Sequence, residues 1–401
     1  MSHDLPFVPF SLPSIGDEEV REVIAALESG WLTSGPRTRQ FEADFARYTQ
    51  SPFALAVNSC TAGLHLALSC LDLQPGDEVI TTPLTFCATV NTILQAGGVP
   101  ILADIGADLN IDPAAIRAAI TPRTRAIVPV HFGGLPCLMD EIWTVAKEAG
   151  LAVIEDAAHA AGATYRGTPV GAGRSTAVAF SFYATKNLCT GEGGMVTTGS
   201  RALADRMRTL CLHGISRDAW NRYAKEGNWY YEVVERGFKY NMSDLMAALG
   251  IHQLKKLDAM NASRQAIVRR YTAAFSEFAE LECPPDRSDS GHAWHLYVLR
   301  LHLDRLSVDR GRICEELRAR GVGSSVHFIP IPLHPYYRET LELRDPCNRA
   351  LADYPRLLSL PLYPQMDEES VRRVIAAVAD VICAYRKPGS FSFAPQPALC
   401  V

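Results

Sequence analysis

A chain of 401 residues, 48% of them apolar, has room for two domains or for one large α/β unit with an appendage, and enough apolar material for an ordinary globular core. The formal charge of −5, with no Lys/Arg run, argues against nucleic acid as a partner. No stretch approaches the roughly eighteen consecutive apolar residues of a membrane span, and the opening MSHDLPFVPFSLP carries neither the basic nor the apolar segment of a signal peptide. Eleven cysteines, scattered without a C-x-x-C pair or zinc-type Cys/His spacing, point to a reducing cytoplasm with no disulfide framework and no structural metal.

From the N-terminus, Val20, Val23, Ile24 and Leu27 recur at helical spacing behind Asp17 and Glu18, which predicts an amphipathic helix. The SGWLTSGP loop follows, then a second helix from Arg37 to Tyr48. From there strand and helix signals alternate. FALAVN reads as strand, CTAGLHLALSCL as helix, DEVITTP as strand, TFCATVNTILQAG as helix, PILADI and RAIVPVHF as strands, and MDEIWTVAKEAG as helix. LAVIEDA, TAVAFSFY and GMVTT are three further strands, and the order predicts an α/β layer fold around a largely parallel sheet. A long helical run from near Ser243 leads to a smaller α+β unit, in which AWHLYVLRL and SSVHF read as strands and RGRICEELRARG as a helix. A last helix carries Val371, Val374, Ile375 and Val378 on one face. The expected division is a large unit over 1–250, a linking helix over 251–282 and a small C-terminal α+β unit over 283–401. The proline- and serine-rich tail after Lys387 is expected to extend over a surface or fray.

In open α/β sheets, ligands bind at the carboxyl ends of the strands, and unusual residues fall at several such ends. NSCTAG offers the first amides of a helix together with the hydroxyls of Ser59 and Thr61, either as plain N-caps or as an anion cradle. Glu155 and Asp156 end an apolar strand, where a buried acid needs a partner; a helix cap or an internal ion pair is the alternative. Phe86, just past DEVITTP, is either core filler or an aromatic face. Most lysines are solvated surface charges, yet Lys186 stands among small residues, after Ser181 and before a glycine-rich turn. An anion cradle, an aromatic face, a buried acid and an amine together make the inventory of a pyridoxal phosphate site. In that reading Lys186 joins the cofactor aldehyde and moves protons, Asp156 keeps the pyridine nitrogen protonated, Phe86 stacks on the ring, and Ser59, Thr61 and Ser181 hold the phosphate.

Eight segments carry a resemblance: GWLTSGPRTRQFE (30–42), NSCTAGLHLAL (58–68), GDEVITTPLTFCAT (76–89), PVHFGG (129–134), VIEDAAHAAGA (153–163), SFYATKNLCTGEGGM (181–195), GFKYNMSDLMAALG (237–250) and SLPLYPQM (359–366). With these in family order over nearly its whole length, the chain resembles the sugar aminotransferases of the DegT/StrS family. The resemblance implies the aspartate-aminotransferase-like (type I) fold of pyridoxal phosphate enzymes, an α/β large domain with a mostly parallel seven-stranded sheet. It makes Lys186 the Schiff-base lysine, Asp156 the pyridinium partner and Phe86 the stacking aromatic. His159 falls beside the cofactor's phenolic oxygen, and Thr61, Ala62 and Ser181 match phosphate contacts. Asn241 matches a phosphate contact given by the neighbouring subunit, which implies a homodimer with shared active sites; YNMSDL lacks the Arg that usually flanks this position. One family branch replaces the lysine with histidine and dehydrates sugars, so Lys186 places this chain with the aminotransferases.

The same resemblance implies transfer of an amino group from L-glutamate to a nucleotide-linked 4-keto sugar, carried by UDP or dTDP, for surface polysaccharide or secondary-metabolite amino sugars. Trp31, Thr33 and His327 fall in segments that line the sugar site in relatives, with plain alternatives as core filler, turn residue and structural histidine. Trp220, Tyr223, Trp229, Tyr230 and Tyr231 mark a stretch expected at the dimer interface with partial site contact. Two readings compete: a pyridoxal phosphate-dependent sugar dehydratase or lyase of the same fold, and a non-catalytic regulatory protein that binds the cofactor.

Overall fold

The computed structural model describes residues 6–215 and 230–388. Its strands are β1 (Phe53–Val57), β2 (Glu78–Thr81), β3 (Val99–Leu102), β4 (Thr124–Val128), β5 (Ala152–Asp156), β6 (Thr164–Tyr165), β7 (Thr168–Pro169), β8 (Ala177–Ser181), β9 (Gly194–Thr198), β10 (Leu281–Glu282), β11 (Ser290–Gly291), β12 (Tyr297–Leu301) and β13 (Leu357–Leu360). Seven form one sheet in the order β1-β9-β8-β5-β4-β2-β3, and β10-β12-β13 and β11-β6-β7 form two small ones. The large sheet is parallel except at β9, which runs antiparallel to both β1 and β8. This is the α/β architecture with a mostly parallel seven-stranded sheet that the sequence leads one to expect.

The helices are α1 (Asp17–Glu28), α2 (Pro36–Thr49), α3 (Cys60–Ser69), α4 (Cys87–Gln95), α5 (Pro113–Ala119), α6 (Met139–Ala149), α7 (Arg201–Cys211), α8 (Asp244–Phe275), α9 (Arg310–Ala319), α10 (Pro335–Thr340), α11 (Asn348–Asp353) and α12 (Glu368–Tyr385). Strand alternation sorts them by face. Ile154, Ala177 and Ala179 pack with α3, α4 and α7. Val178, Phe180 and Phe182 turn the other way, against Phe41 and Phe45 of α2 and Ile251, Leu254 and Leu257 of α8. The far half of α8, with Ile267, Val268, Tyr271 and Phe275, belongs instead to the C-terminal core built with β12, α9 and α12.

Three local readings are corrected. The α1 helix forms, but its acidic face turns inward: Glu19 caps Gly16 N–H at 2.8 Å, accepts from Gln253 Nε2 at 2.8 Å and pairs with Lys256, while Glu22 pairs with Arg37. Ion pairing with α2 and α8 wins over apolar burial, and Val20, Ile24 and Leu27 are left about half exposed (50%, 47% and 54%). SSVHF is not a strand; it touches β13 through one bridge, Ser325 to Ser359, before turning away. The AWHLYVLRL segment joins its ladder only at Tyr297, because Trp294 takes a left-handed backbone (φ 49°). Trp220, Tyr223, Trp229 and the tail from 389 onward lie outside the described residues.

Candidate active site

Register gathers the site at one edge of the large sheet. Asp156 pairs with Ala179, Ser181 pairs with Gly194, and Gly194 pairs on its other side with Val57. The end of β5, the end of β8 and the turn from β1 into α3 therefore share one rim. A Cβ on Gly194 would lie 2.6 Å from the Ser59 carbonyl carbon and 2.7 Å from Cys60 N, so glycine alone lets β9 start beneath the first turn of α3.

A cavity of about 540 Å³ opens there. Of the residues singled out in the sequence, Ser59, Thr61, Phe86, Asp156, His159, Ser181, Lys186 and His327 line it. Asp156 is buried; its Oδ2 accepts from Thr89 Oγ1 at 2.9 Å and its Oδ1 from the Ala158 amide at 3.1 Å. Burial pushes its carboxyl above the usual range, against the pull of those two donors and of Lys186. Burial likewise pushes the Lys186 amine down to about 8, against the pull of Cys60 and Asp156. A buried acid short of positive charge and an amine that sheds its proton easily open onto the same space.

The remaining groups have definite hydrogen-bond senses. Ser59 caps α3 by accepting the Ala62 amide at 3.1 Å, so the plain capping reading of Ser59 holds and the Ala62 N–H is already used. The amides of Cys60 and Thr61 belong to the first turn, which a helix cannot satisfy internally. Ser181 Oγ accepts the Tyr183 amide at 3.3 Å, keeping its own hydrogen to donate. Phe86 is not core filler: it is 60% exposed, with its ring open to the cavity. His159 Nδ1 accepts the Gly133 amide at 3.3 Å, which puts the ring hydrogen on Nε2. Burial holds His159 well below the ordinary histidine range, and His327, bonded to Ser359 Oγ at 2.9 Å, falls to about 4. An anion-seeking helix end with hydroxyls, an open aromatic face, a cation-seeking acid and an amine that gives up its proton easily are what pyridoxal phosphate requires, and the cavity fits it.

Trp31, Thr33 and Asn241 are not among the residues lining this cavity. They are held elsewhere, around Ser34 and Asp244: Trp31 Nε1 donates to the Ser34 carbonyl at 3.0 Å, Asn241 Nδ2 to Ser34 Oγ at 2.7 Å, and the Thr33 carbonyl accepts the Asp244 amide at 3.1 Å. Sequence reasoning missed Thr89, Phe10, Phe328 and His295. A threonine three residues after Phe86, in the first turn of the next helix, was the legible signal for Thr89. His295 sits in an apolar run that reads as strand, where a histidine passes for core.

A sequence profile of the DegT/DnrJ/EryC1/StrS aminotransferase family matches residues 13–379. The chain belongs to that family. Among relatives of this aminotransferase, the spore coat polysaccharide biosynthesis protein SpsC of Bacillus subtilis is 52% identical over 379 residues, covering 94% of this chain and 97% of SpsC. In solved structures, Spr1654 of Streptococcus pneumoniae in its PLP form superposes with a TM-score of 0.87 at 32% identity, covering 94% of this chain and 98% of its own. PseC of Helicobacter pylori, an aminotransferase involved in pseudoaminic acid biosynthesis, does so with a TM-score of 0.87 at 29% identity, covering 94% and 100%. The aminotransferase therefore has the type I fold expected of it.

Proposed function

We propose that this sugar aminotransferase moves an amino group from L-glutamate to a nucleotide-linked 4-keto sugar, working in the cytoplasm as a homodimer whose active sites are shared. The observation that carries the reading is the pairing, on one cavity, of a Lys186 amine pushed down to about 8 with a buried, charge-seeking Asp156. Its cofactor is pyridoxal phosphate, which when bound supplies an electrophilic carbonyl and an electron-withdrawing ring.

The chain's own residues supply the rest. Lys186 Nζ would hold the cofactor, and its free amine, easily deprotonated, would be the group in the cavity able to take up and return a proton. Asp156 keeps a proton on the ring nitrogen, a role that relieves its own buried charge. Phe86 covers one ring face. The free α3 amides with Thr61 and Ser181 would hold the phosphate, and His159, with its hydrogen on Nε2, would be the donor for the phenolic oxygen. His327, Tyr183 and Glu192 line the same cavity and are left to meet substrate.

The homodimer is supported by the outward apolar face of α1 and by Trp31 and Leu32, 42% and 47% exposed. Trp31 is tied through Ser34 to Asn241, the residue that the resemblance assigns to a neighbouring site. Apolar side chains on a helix turned away from its own core call for a covering surface.

The test is a panel of UDP- and dTDP-linked keto sugars with L-glutamate, read by mass spectrometry. Nitrogen gained by a sugar nucleotide, with 2-oxoglutarate formed, is the expected result. Transfer only to free keto acids, or only from another amino acid, overturns the assignment of acceptor or donor respectively.

A further inference from the structure

Beside Lys186 runs a line of polar side chains that the roles above leave unused. Asn187 Nδ2 donates to the carbonyl of Ala293 at 2.6 Å and to Asn261 Oδ1 at 2.8 Å, and Asn261 Nδ2 donates to the carbonyl of Ala161 at 3.1 Å. A backbone carbonyl only accepts, so the Asn187 NH2 group lies on that side and its oxygen faces His295 Nδ1, at 3.1 Å. An amide oxygen also only accepts, so His295 carries its hydrogen on Nδ1. The other nitrogen of the neutral ring is then a bare acceptor, and it is this Nε2 that faces Lys186 Nζ, at 3.5 Å. Such contacts are commonly long before substrate tightens the site.

The surroundings keep the ring neutral. His295 is 6% exposed, and burial, then Lys186, His159, Arg264 and His327, hold it well below the ordinary histidine range. On the other side of the contact, Cys60 and Asp156 bear on Lys186.

We infer that His295 positions the reacting amine: it accepts an N–H of Lys186 through Nε2, in a tautomer locked by Asn187 and Asn261, and thereby aims the lysine lone pair into the cavity. The inference rests on Lys186 being the reacting lysine. A free amine at the end of four methylenes rotates among many orientations, and one fixed acceptor selects among them. When the lysine takes up a proton the same acceptor stabilises the ammonium ion, whereas the opposite tautomer would present an N–H and repel it.

The test reads the amine without substrate. In the full chain stripped of cofactor, Lys186 is reductively methylated across a pH series and followed by peptide mass spectrometry. His295→Phe keeps a ring and removes the acceptor, so the Lys186 midpoint falls by about one pH unit as a hydrogen bond to a charged group is lost. His295→Gln, whose side-chain oxygen accepts, restores much of the shift. In the loaded enzyme His295→Phe lowers kcat about tenfold with KM little changed. A Lys186 midpoint unmoved in His295→Phe overturns the inference. If that variant does not fold, nitrogen-15 spectra of the parent's histidines decide: a hydrogen on His295 Nδ1 supports the inference and one on Nε2 overturns it. Borohydride reduction of the loaded parent, with peptide mapping, is the separate control. A label on another lysine removes Lys186 from the reaction, while its titration still reports on His295.

Discussion

The imidazoles of His159 and His295 lie with centroids 4.4 Å apart and planes tilted by 36°, and their hydrogen bonds set them in opposite tautomers. His159 offers a donor from Nε2 and His295 an acceptor from Nε2, so two adjacent neutral rings give the cavity one group of each kind. Phe328 stacks on His159 at 5.7 Å, and Phe10 on His327 at 5.4 Å. With all three histidines held below their ordinary range, positive charge at this end of the site resides on Lys186.

That charge has a pH signature. Lys186 falls from the ordinary value near 10.5 to about 8 in the folded chain, so between these values the unfolded chain binds more protons. Stability of the cofactor-free protein therefore rises as pH climbs from about 8 towards 10.5, and Lys186→Met, which removes the buried amine, raises Tm at pH 7. The gain is at most about 3 kcal/mol, reduced by water in the open cavity. Cofactor uptake by the stripped chain needs the neutral amine, so its rate climbs with pH to a midpoint near 8. Calorimetry and absorbance-followed reconstitution measure the two; a flat rate profile contradicts the placement of Lys186.

Asp156→Asn separates stability from function. The carboxyl titrates above its usual range in the cofactor-free chain, so its contribution favours the folded state at low pH and is lost as pH rises through the folded value. Asparagine abolishes that loss, and the stripped variant melts higher at neutral pH. The loaded variant no longer keeps the ring nitrogen protonated, and turnover falls by about a hundredfold or more. Turnover within a few-fold of the parent moves the role to another residue.

What the sequence made legible follows from periodicity and from strand ends. Asp156, Ser181 and Phe86 sit where an apolar run stops, and a parallel sheet brings such stops to one rim. Lys186 was legible because small residues and glycines crowd around it. His295 was not: it comes from a segment just before β12, and its approach to Lys186 depends on Trp294 turning the backbone and on Asn187 and Asn261 holding the ring. The orientation of α1 was hidden for a related reason. Spacing of Val20, Ile24 and Leu27 reports an apolar face, whereas the partners of Glu19 and Glu22 come from α2 and α8, far along the chain.

Asp244 predicts where the Asn241 face is fastened. Its buried carboxylate accepts from the amides of Gly35 at 2.7 Å, Arg37 at 3.1 Å and Thr38 at 2.9 Å, and from Thr38 Oγ1 at 2.7 Å. Asp244→Ala leaves several of these donors without a partner and costs about 3–5 kcal/mol. Urea unfolding measures it. A loss below about 1 kcal/mol would mean that water reaches those amides.

Shared active sites make the strongest demand on the proposed homodimer. Asn241 is absent from the lining of its own chain's Lys186 cavity and lies instead beside Ser34 and the exposed Trp31. If it reaches the neighbouring subunit's phosphate, a Lys186→Ala chain and an Asn241→Glu chain, each inactive alone, form a mixed dimer with one site carrying both lesions and the other carrying neither. Activity then returns to as much as about half of the parent's per mixed dimer, since one of the two sites is intact. Glutamate is chosen over alanine because losing one neutral contact costs only about 1–3 kcal/mol, whereas a carboxylate facing a phosphate repels it. Subunit exchange is confirmed by tagging the two chains differently and purifying the doubly tagged species. A doubly tagged dimer as inactive as its parents means that each site is built within one chain, and the outward apolar face of α1 then serves some other contact.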